Sequence, residues 1–172
     1  MNKSVLPFSC LALSLHFTKI PVQMIWQHPE LSVNPRLRMR DVLREGDGVE
    51  GRIIDGLGIE KDWLNRFPAE LSGGELQRFC IARALGERTR FLLADEISTM
   101  LDLITQSQIW NFLIREVEMR QIGLLVVSHS EGLLDQVCTR RLDVLSASWE
   151  RNFILWTSGH SITGVSPVIM TT

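Results

Sequence analysis

The stretch Leu71-Ser72-Gly73-Gly74-Glu75-Leu76-Gln77-Arg78 sets a hydroxyl and two glycines ahead of Leu76, Phe79, Cys80 and Ala84, apolar residues at helical spacing. The first N–H groups of a helix have no partner within it, and the macrodipole adds partial positive charge there. Such a start attracts an anion, and glycines let a phosphate approach the backbone. Ser72 followed by Glu75 is equally the pattern of a capping box, a structural start that needs no ligand. Further on, Asp95 and Glu96 close one short apolar run and His129 closes another. A carboxylate pair at the end of a strand can hold a cation and take a proton from water, or it can simply cap a turn. A histidine so placed is either a hydrogen-bond donor to a ligand or a solvent-facing orienting residue.

The surrounding pattern supplies elements to carry these groups. Residues 22–26 form a short apolar strand candidate that delivers Gln27 to its end, and residues 90–94 and 124–127 read as continuous apolar strands buried on both faces. Between the last two, Ile109, Phe112, Leu113 and Val117 recur at helical spacing opposite Gln108, Arg115 and Glu118, which predicts a helix over 104–120 covering one sheet face. A strand, a helix and a second strand joined in this way predict a right-handed parallel crossover. Asp95, Glu96 and His129 then lie at strand ends, the place where open α/β sheets bind ligands. Residues 35–44 and 49–57 read as short helices, 62–67 as a helical turn ended by Pro68, 131–137 as a helix and 142–145 as a final strand. Arg36, Arg38, Arg40 and Arg44 form the solvated face of the first helix, with Leu37, Val42 and Leu43 turned inward.

The eight residues 71–78 resemble the signature motif of ABC-type ATPases, and the resemblance continues in order. Phe91-Leu92-Leu93-Ala94-Asp95-Glu96 resembles the Walker B strand, Ser98-Thr99-Met100-Leu101-Asp102 the D-loop, and Val126-Val127-Ser128-His129 the switch histidine. Upstream, Gln23-Met24-Ile25-Trp26-Gln27-His28-Pro29 is similar to the Q-loop of the branch that imports peptides and nickel. The resemblance covers roughly residues 20–145. It implies an α/β fold: a partial P-loop NTPase core of parallel strands and helices, plus a small α-helical subdomain over about 30–80 that docks on a membrane-spanning partner. It leaves 1–20 and 146–172 unassigned, and the chain beyond about residue 157 is expected to be poorly ordered.

The resemblance also implies roles. ATP and Mg²⁺ are the implied cofactors. Gln27 would be a ligand of Mg²⁺ or of the attacking water, Asp95 would hold Mg²⁺ through water, Glu96 would act as general base, and His129 would donate to the γ-phosphate. Asp102 holds the D-loop position, while Ser72, Gly73, Gly74, Glu75 and Gln77 belong to the signature motif that closes on the ATP of a second subunit. His28, Trp26, Ile97 and Met100 depart from the commoner residues of the family at their positions. So does the lysine content: Lys3, Lys19 and Lys61 are the only lysines and none follows a glycine, so the sequence contains no Gly-x-x-x-x-Gly-Lys-Ser/Thr phosphate loop (Walker A). It also contains no tyrosine to stack on adenine. The expectation is therefore a later part of an ABC ATPase domain. Its partners would be a second ATPase subunit supplying the Walker A loop and transmembrane permease subunits, and its hydrolysis alone would be negligible.

Composition is compatible with this. A chain of 172 residues with net charge −2 can bury one ordinary core and gives no electrostatic case for nucleic acid. Cys10, Cys80 and Cys138 lack zinc-ligand spacing and point to a reduced compartment. Residues 1–15 have the outline of a signal peptide, but His16 and Lys19 follow without a small-residue cleavage site. The location expected is cytoplasmic, peripheral on the inner face of the cell membrane. Two other readings stand beside the importer subunit. One is a catalytically inert fragment. The other is an ABC-type ATPase of DNA repair, which the short interval from Gln27 to Leu71 disfavours because it leaves no room for the long coiled coil of those proteins.

Overall fold

A computed structural model describes residues 21–99 and 101–140, together with the backbone of a strand at 153–156. Four strands form one sheet in the order β1 (Val22–Ile25), β2 (Phe91–Asp95), β3 (Gly123–Val127), β4 (Phe153–Trp156). The first three are parallel and β4 runs antiparallel to β3. Among the described residues five α-helices accompany them: α1 (Met39–Arg44), α2 (Gly51–Gly56), α3 (Gly73–Ala84), α4 (Leu103–Arg120) and α5 (Glu131–Val137). The α/β class read from the sequence is the one observed.

The crossover from β2 through α4 to β3 follows the periodicity of the chain. Ile109, Leu113 and Val117 are fully buried and pack in one cluster with Leu92, Ala94, Leu124 and Val126. Phe79 and Ile81 of α3 and Met39, Val42, Ile53 and Leu57 of the short helices join the same cluster. The strands differ from expectation in one respect. Along β2 alternate residues are sealed, and along β3 Leu124, Val126 and Val127 are, while Leu93 and Leu125 are half-buried and Phe91 is exposed. Among the described residues the second sheet face carries less cover, so these strands show alternation rather than burial on both sides.

Local chemistry explains where other boundaries moved. The first helix begins at Met39 and not at residue 35, because the Asn34 side chain accepts the Arg36 N–H in a turn and Arg38 is extended. The turn expected over 62–67 is a 3₁₀ turn at Lys61–Asn65, followed by a second at Pro68–Glu70. The Arg38 guanidinium stacks 4.7 Å from the Phe67 ring centroid, and Arg44 pairs with Asp41 at 2.7 Å, so that arginine face is solvated and locally paired. The strand expected over 142–145 and the tail beyond 157 lie outside the described residues. Strand β4 occupies a stretch to which the sequence assigned nothing. Gly123 opens β3 where a Cβ would stand 2.5 Å from the Phe91 ring, so close strand pairing there needs glycine.

Arg120 and Glu116 help fasten α4 to the remainder. Arg120 donates to the carbonyls of Leu85 at 2.7 Å and Gly86 at 2.6 Å, satisfying acceptors left open at the end of α3. Glu116, nearly buried on the same helix, pairs with Arg52 of α2, which also holds Glu50 at 2.6 Å. Helical periodicity could not reveal Glu116, since it falls between apolar positions on the buried side.

Leu113 is wholly enclosed, so Leu113→Ala should cost about 2–5 kcal/mol. Met119→Ala, on the exposed face of the same helix, should stay within about 0.5 kcal/mol. Urea unfolding followed by circular dichroism measures both.

Candidate nucleotide site

The parallel register aligns the ends of three strands. Ile25 pairs with Ala94, and Ala94 pairs with Val126. Two residues beyond that row stand Gln27, Glu96 and Ser128, with Asp95 just before Glu96 and His129 just after Ser128. An open cleft of about 460 Å³ is lined by Gln27, Asp95, Glu96, Thr99, Val127, His129 and Ser130. The four residues for which the resemblance implies catalytic or metal roles in the chain's own site therefore meet in one place, at the carboxyl edge of the sheet.

Glu96 is the most constrained of them. Its φ of 49° lies in the left-handed region, uncommon for a residue with a side chain, and only 7% of its surface is exposed. The backbone is held by its own N–H donating to the Val127 carbonyl at 3.0 Å, and by the Thr99 hydroxyl donating to its carbonyl at 3.0 Å. Oε1 accepts the His129 N–H at 2.7 Å and lies 3.7 Å from His129 Nε2. Oε2 is buried and has no hydrogen-bond partner. An unsatisfied buried carboxylate oxygen is costly and marks a place where a proton, a water or a cation would be stabilised.

That orphaned oxygen, the neighbouring Asp95 carboxylate and the Gln27 amide oxygen make an all-oxygen donor set. Such a set fits a hard cation like Mg²⁺, which takes one or two carboxylates and completes its shell with water and phosphate oxygens. No cluster of three or more His, Cys, Asp or Glu side chains with metal-holding geometry occurs among the described residues.

The loop after Glu96 contains groups that motif reading did not single out. Trp110, buried on α4, donates through Nε1 to Ser98 Oγ at 3.1 Å and so pins the loop from below. Asp102 ends the loop as the N-cap of α4, its Oδ1 accepting the N–H groups of Ile104 and Thr105 at 3.0 Å each. The resemblance puts Asp102 at the D-loop position of a nucleotide site; in the structure its carboxylate caps α4. An Asp directly ahead of a helical apolar pattern was the available signal. Ser130 likewise caps α5, accepting the Leu133 N–H at 3.4 Å.

Ser72, Gly73 and Gly74 do not line this cleft. Ser72 caps α3 and forms the full capping box: Glu75 N–H donates to Ser72 Oγ at 3.3 Å, and Ser72 N–H donates to Glu75 Oε2 at 2.6 Å. The two readings of this stretch are compatible, because a capping hydroxyl acts as acceptor and keeps its own O–H to donate. Gly73 and Ser72 are exposed, and a Cβ built at Gly73 would meet nothing within 4 Å, so a ligand has free approach to the backbone there. Gly74 is more confined, its notional Cβ 3.2 Å from Leu101 of the loop. Glu75 is engaged within its own helix. Gln77 is 2% exposed: it turns into the core and donates from Nε2 to the Trp26 carbonyl at 3.3 Å.

A sheet of this kind, with acids, an amide and a histidine along its carboxyl rim and a glycine-opened helix start outside the cleft, has the architecture of a P-loop-type nucleotide-handling core. The family model described as ABC transporter matches residues 10–99. The chain belongs to the ABC transporter family. It is 33% identical over 131 residues to the oligopeptide transport ATP-binding protein OppF of Streptococcus mutans, and 34% identical over 132 residues to the dipeptide transport ATP-binding protein DppF of Lactococcus lactis. Either match covers 69% of this chain and 42% of the relative, so the chain spans less than half the length of these proteins. Its fold is similar to that of a dimeric ATP-binding cassette in a post-hydrolysis state bound to ADP and Pi, with a TM-score of 0.52 at 23% identity, covering 66% of this chain and 55% of that one.

The Glu75 carboxyl is held below the ordinary range chiefly by the Ser72 N–H, and the Asp102 carboxyl chiefly by the Thr105 N–H. Folded values below unfolded ones mean that the stabilisation is present near neutral pH and is lost as pH falls through the lowered folded values. Asp102→Asn keeps a capping oxygen without the charge. The stability gap between wild type and this variant should therefore narrow as pH falls from about 6 to about 3 in chemical denaturation. Ser72→Ala should cost roughly 1 kcal/mol near neutral pH.

Proposed function

We propose that this chain is part of the ATP-binding, energising subunit of an ABC importer and that its cargo is a peptide. The observation that carries the reading is the meeting of Gln27, Asp95, Glu96 and His129 on one rim, with an accessible Ser72-Gly73-Gly74 helix start pointing to a different site. The peptide cargo is supported by the printed functions of the relatives, which are oligopeptide and dipeptide transport; none of those relatives favours nickel.

In this reading each nucleotide is clamped between two subunits. Asp95 and Gln27 would hold Mg²⁺, which would supply charge neutralisation on the phosphate oxygens. Glu96 orients a water molecule and takes its proton on the free Oε2, while the His129 amide keeps the other oxygen in place. The His129 side chain, 68% exposed, donates to the terminal phosphate. On the far side, the amides at Gly73 and Gly74 and the Ser72 hydroxyl face the phosphate of a nucleotide held by the partner. The sequence contains no Gly-x-x-x-x-Gly-Lys-Ser/Thr loop, and the intact one is supplied by the second ATPase subunit. Permease subunits are the proposed membrane partners and the inner membrane face the proposed location. No described helix is long and apolar enough to cross a membrane.

The test is ATP hydrolysis with and without a partner ATPase subunit carrying an intact phosphate loop. The chain alone should show no turnover above background, and the pair should hydrolyse ATP. Gly73→Asp, which puts a negative side chain in the phosphate path, should lower the rate of the pair by roughly 100-fold or more. Turnover by the isolated chain that disappears in Glu96→Gln would overturn the division of labour. A folded pair with no turnover would favour an inert fragment.

A further inference from the structure

Gln77 sits where a purely apolar residue would pack, between Leu76, Phe79 and Cys80 on the core side of α3, all at most 4% exposed. Its amide makes one long-range contact, Nε2 to the Trp26 carbonyl at 3.3 Å, bridging 51 residues of sequence. Its Oε1 is buried without a partner. Exchanging the two ends of the amide would set that oxygen against a carbonyl oxygen, so the direction of the bond is fixed by its acceptor. A methionine or leucine of similar size would fill the space without leaving a buried acceptor unsatisfied. What glutamine adds is the hold on Trp26.

The carbonyl it holds belongs to the peptide unit that joins Trp26 to Gln27. Because that unit is planar, fixing its oxygen fixes the plane from which Gln27 emerges. β1 ends at Ile25 and the Trp26 side chain is 52% exposed, and the next ties to α3 come only at Pro29 and Ser32, through Cys80 and Arg83. We propose that Gln77 is a positioning residue. It ties the helix opened by Ser72-Gly73-Gly74 to the peptide bearing Gln27, so that movement of the helix start shifts Gln27 in the chain's own cleft. The two nucleotide-facing surfaces of the chain are thereby coupled at the Gln77 contact, alongside the ties of α3 to Pro29 and Ser32. The coupling rests on the proposed roles of those surfaces; the positioning of Gln27 does not.

The experiment uses the full chain, labelled with ¹⁵N, and needs no nucleotide, so its outcome is separate from that of the ATPase assay. Gln77→Met preserves length and apolar bulk and removes the donor. The Gln27 backbone and side-chain amide resonances should move, and the Gln27 and His28 amides should exchange with solvent roughly five- to tenfold faster, while Phe79–Ala84 and β3 keep their shifts and protection. Unchanged Gln27 resonances and exchange would overturn the proposal. So would a uniform change across α3 and the sheet, which would make Gln77 a packing residue only. Gln77→Asn, which keeps the amide but falls one methylene short of Trp26, is read by the same criteria should the first variant not fold.

Discussion

Everything chemical about this chain depends on the in-register parallel pairing of β1, β2 and β3. Because Ile25, Ala94 and Val126 stand in one row, residues following them by the same interval arrive at the same height, and groups separated by about a hundred residues of sequence share one cleft. A slip of one residue in any strand would turn its terminal side chain to the opposite face. The packing that prevents a slip is apolar: Leu92, Ala94, Leu124 and Val126 are sealed against Leu113 and Val117 of the crossover helix. Function at the rim is thus fixed by burial at the centre.

The rim itself is where the chain departs from relaxed geometry. Glu96 adopts a left-handed backbone, buries most of its carboxyl and leaves one oxygen without a partner, while the other is occupied by the His129 amide. Such features are unfavourable for folding and persist because Thr99, Val127 and Trp110 hold the loop from several sides. The signature stretch shows the opposite economy. Its capping box satisfies the helix start with Ser72 and Glu75 and still leaves glycine backbone open to an approaching anion.

The sequence made the skeleton of this arrangement readable, because strands ending in Gln27, Glu96 and His129 and a helix of clear period are local patterns. Helix α5 was legible to its ends, since Ser130 caps it and its apolar residues are periodic. Less visible were groups whose role depends on a distant partner. Gln77 looked like one more residue of a ligand-binding motif, but its partner is a carbonyl 51 residues away. Asp102 looked like a nucleotide contact, and the nearest unpaired amides turned out to be those of its own helix. Glu116 and Trp110 were hidden because polar atoms on a buried helix face have meaning only once the opposing element is in place. The strand Phe153–Trp156 follows no turn signal that distinguishes it from the polar stretch after it.

The central claim is that one line of residues at the carboxyl edge of the sheet receives a metal-bound nucleotide. Its most direct measurement is paramagnetic broadening of amide resonances on titrating the chain with Mn²⁺ and ATP, which detects even weak association at the atoms nearest the ion. The account predicts selective loss of signal at Gln27, Asp95, Glu96 and His129 while α1 and α2 stay sharp. Broadening centred on any other surface, or spread evenly over the chain, would contradict it.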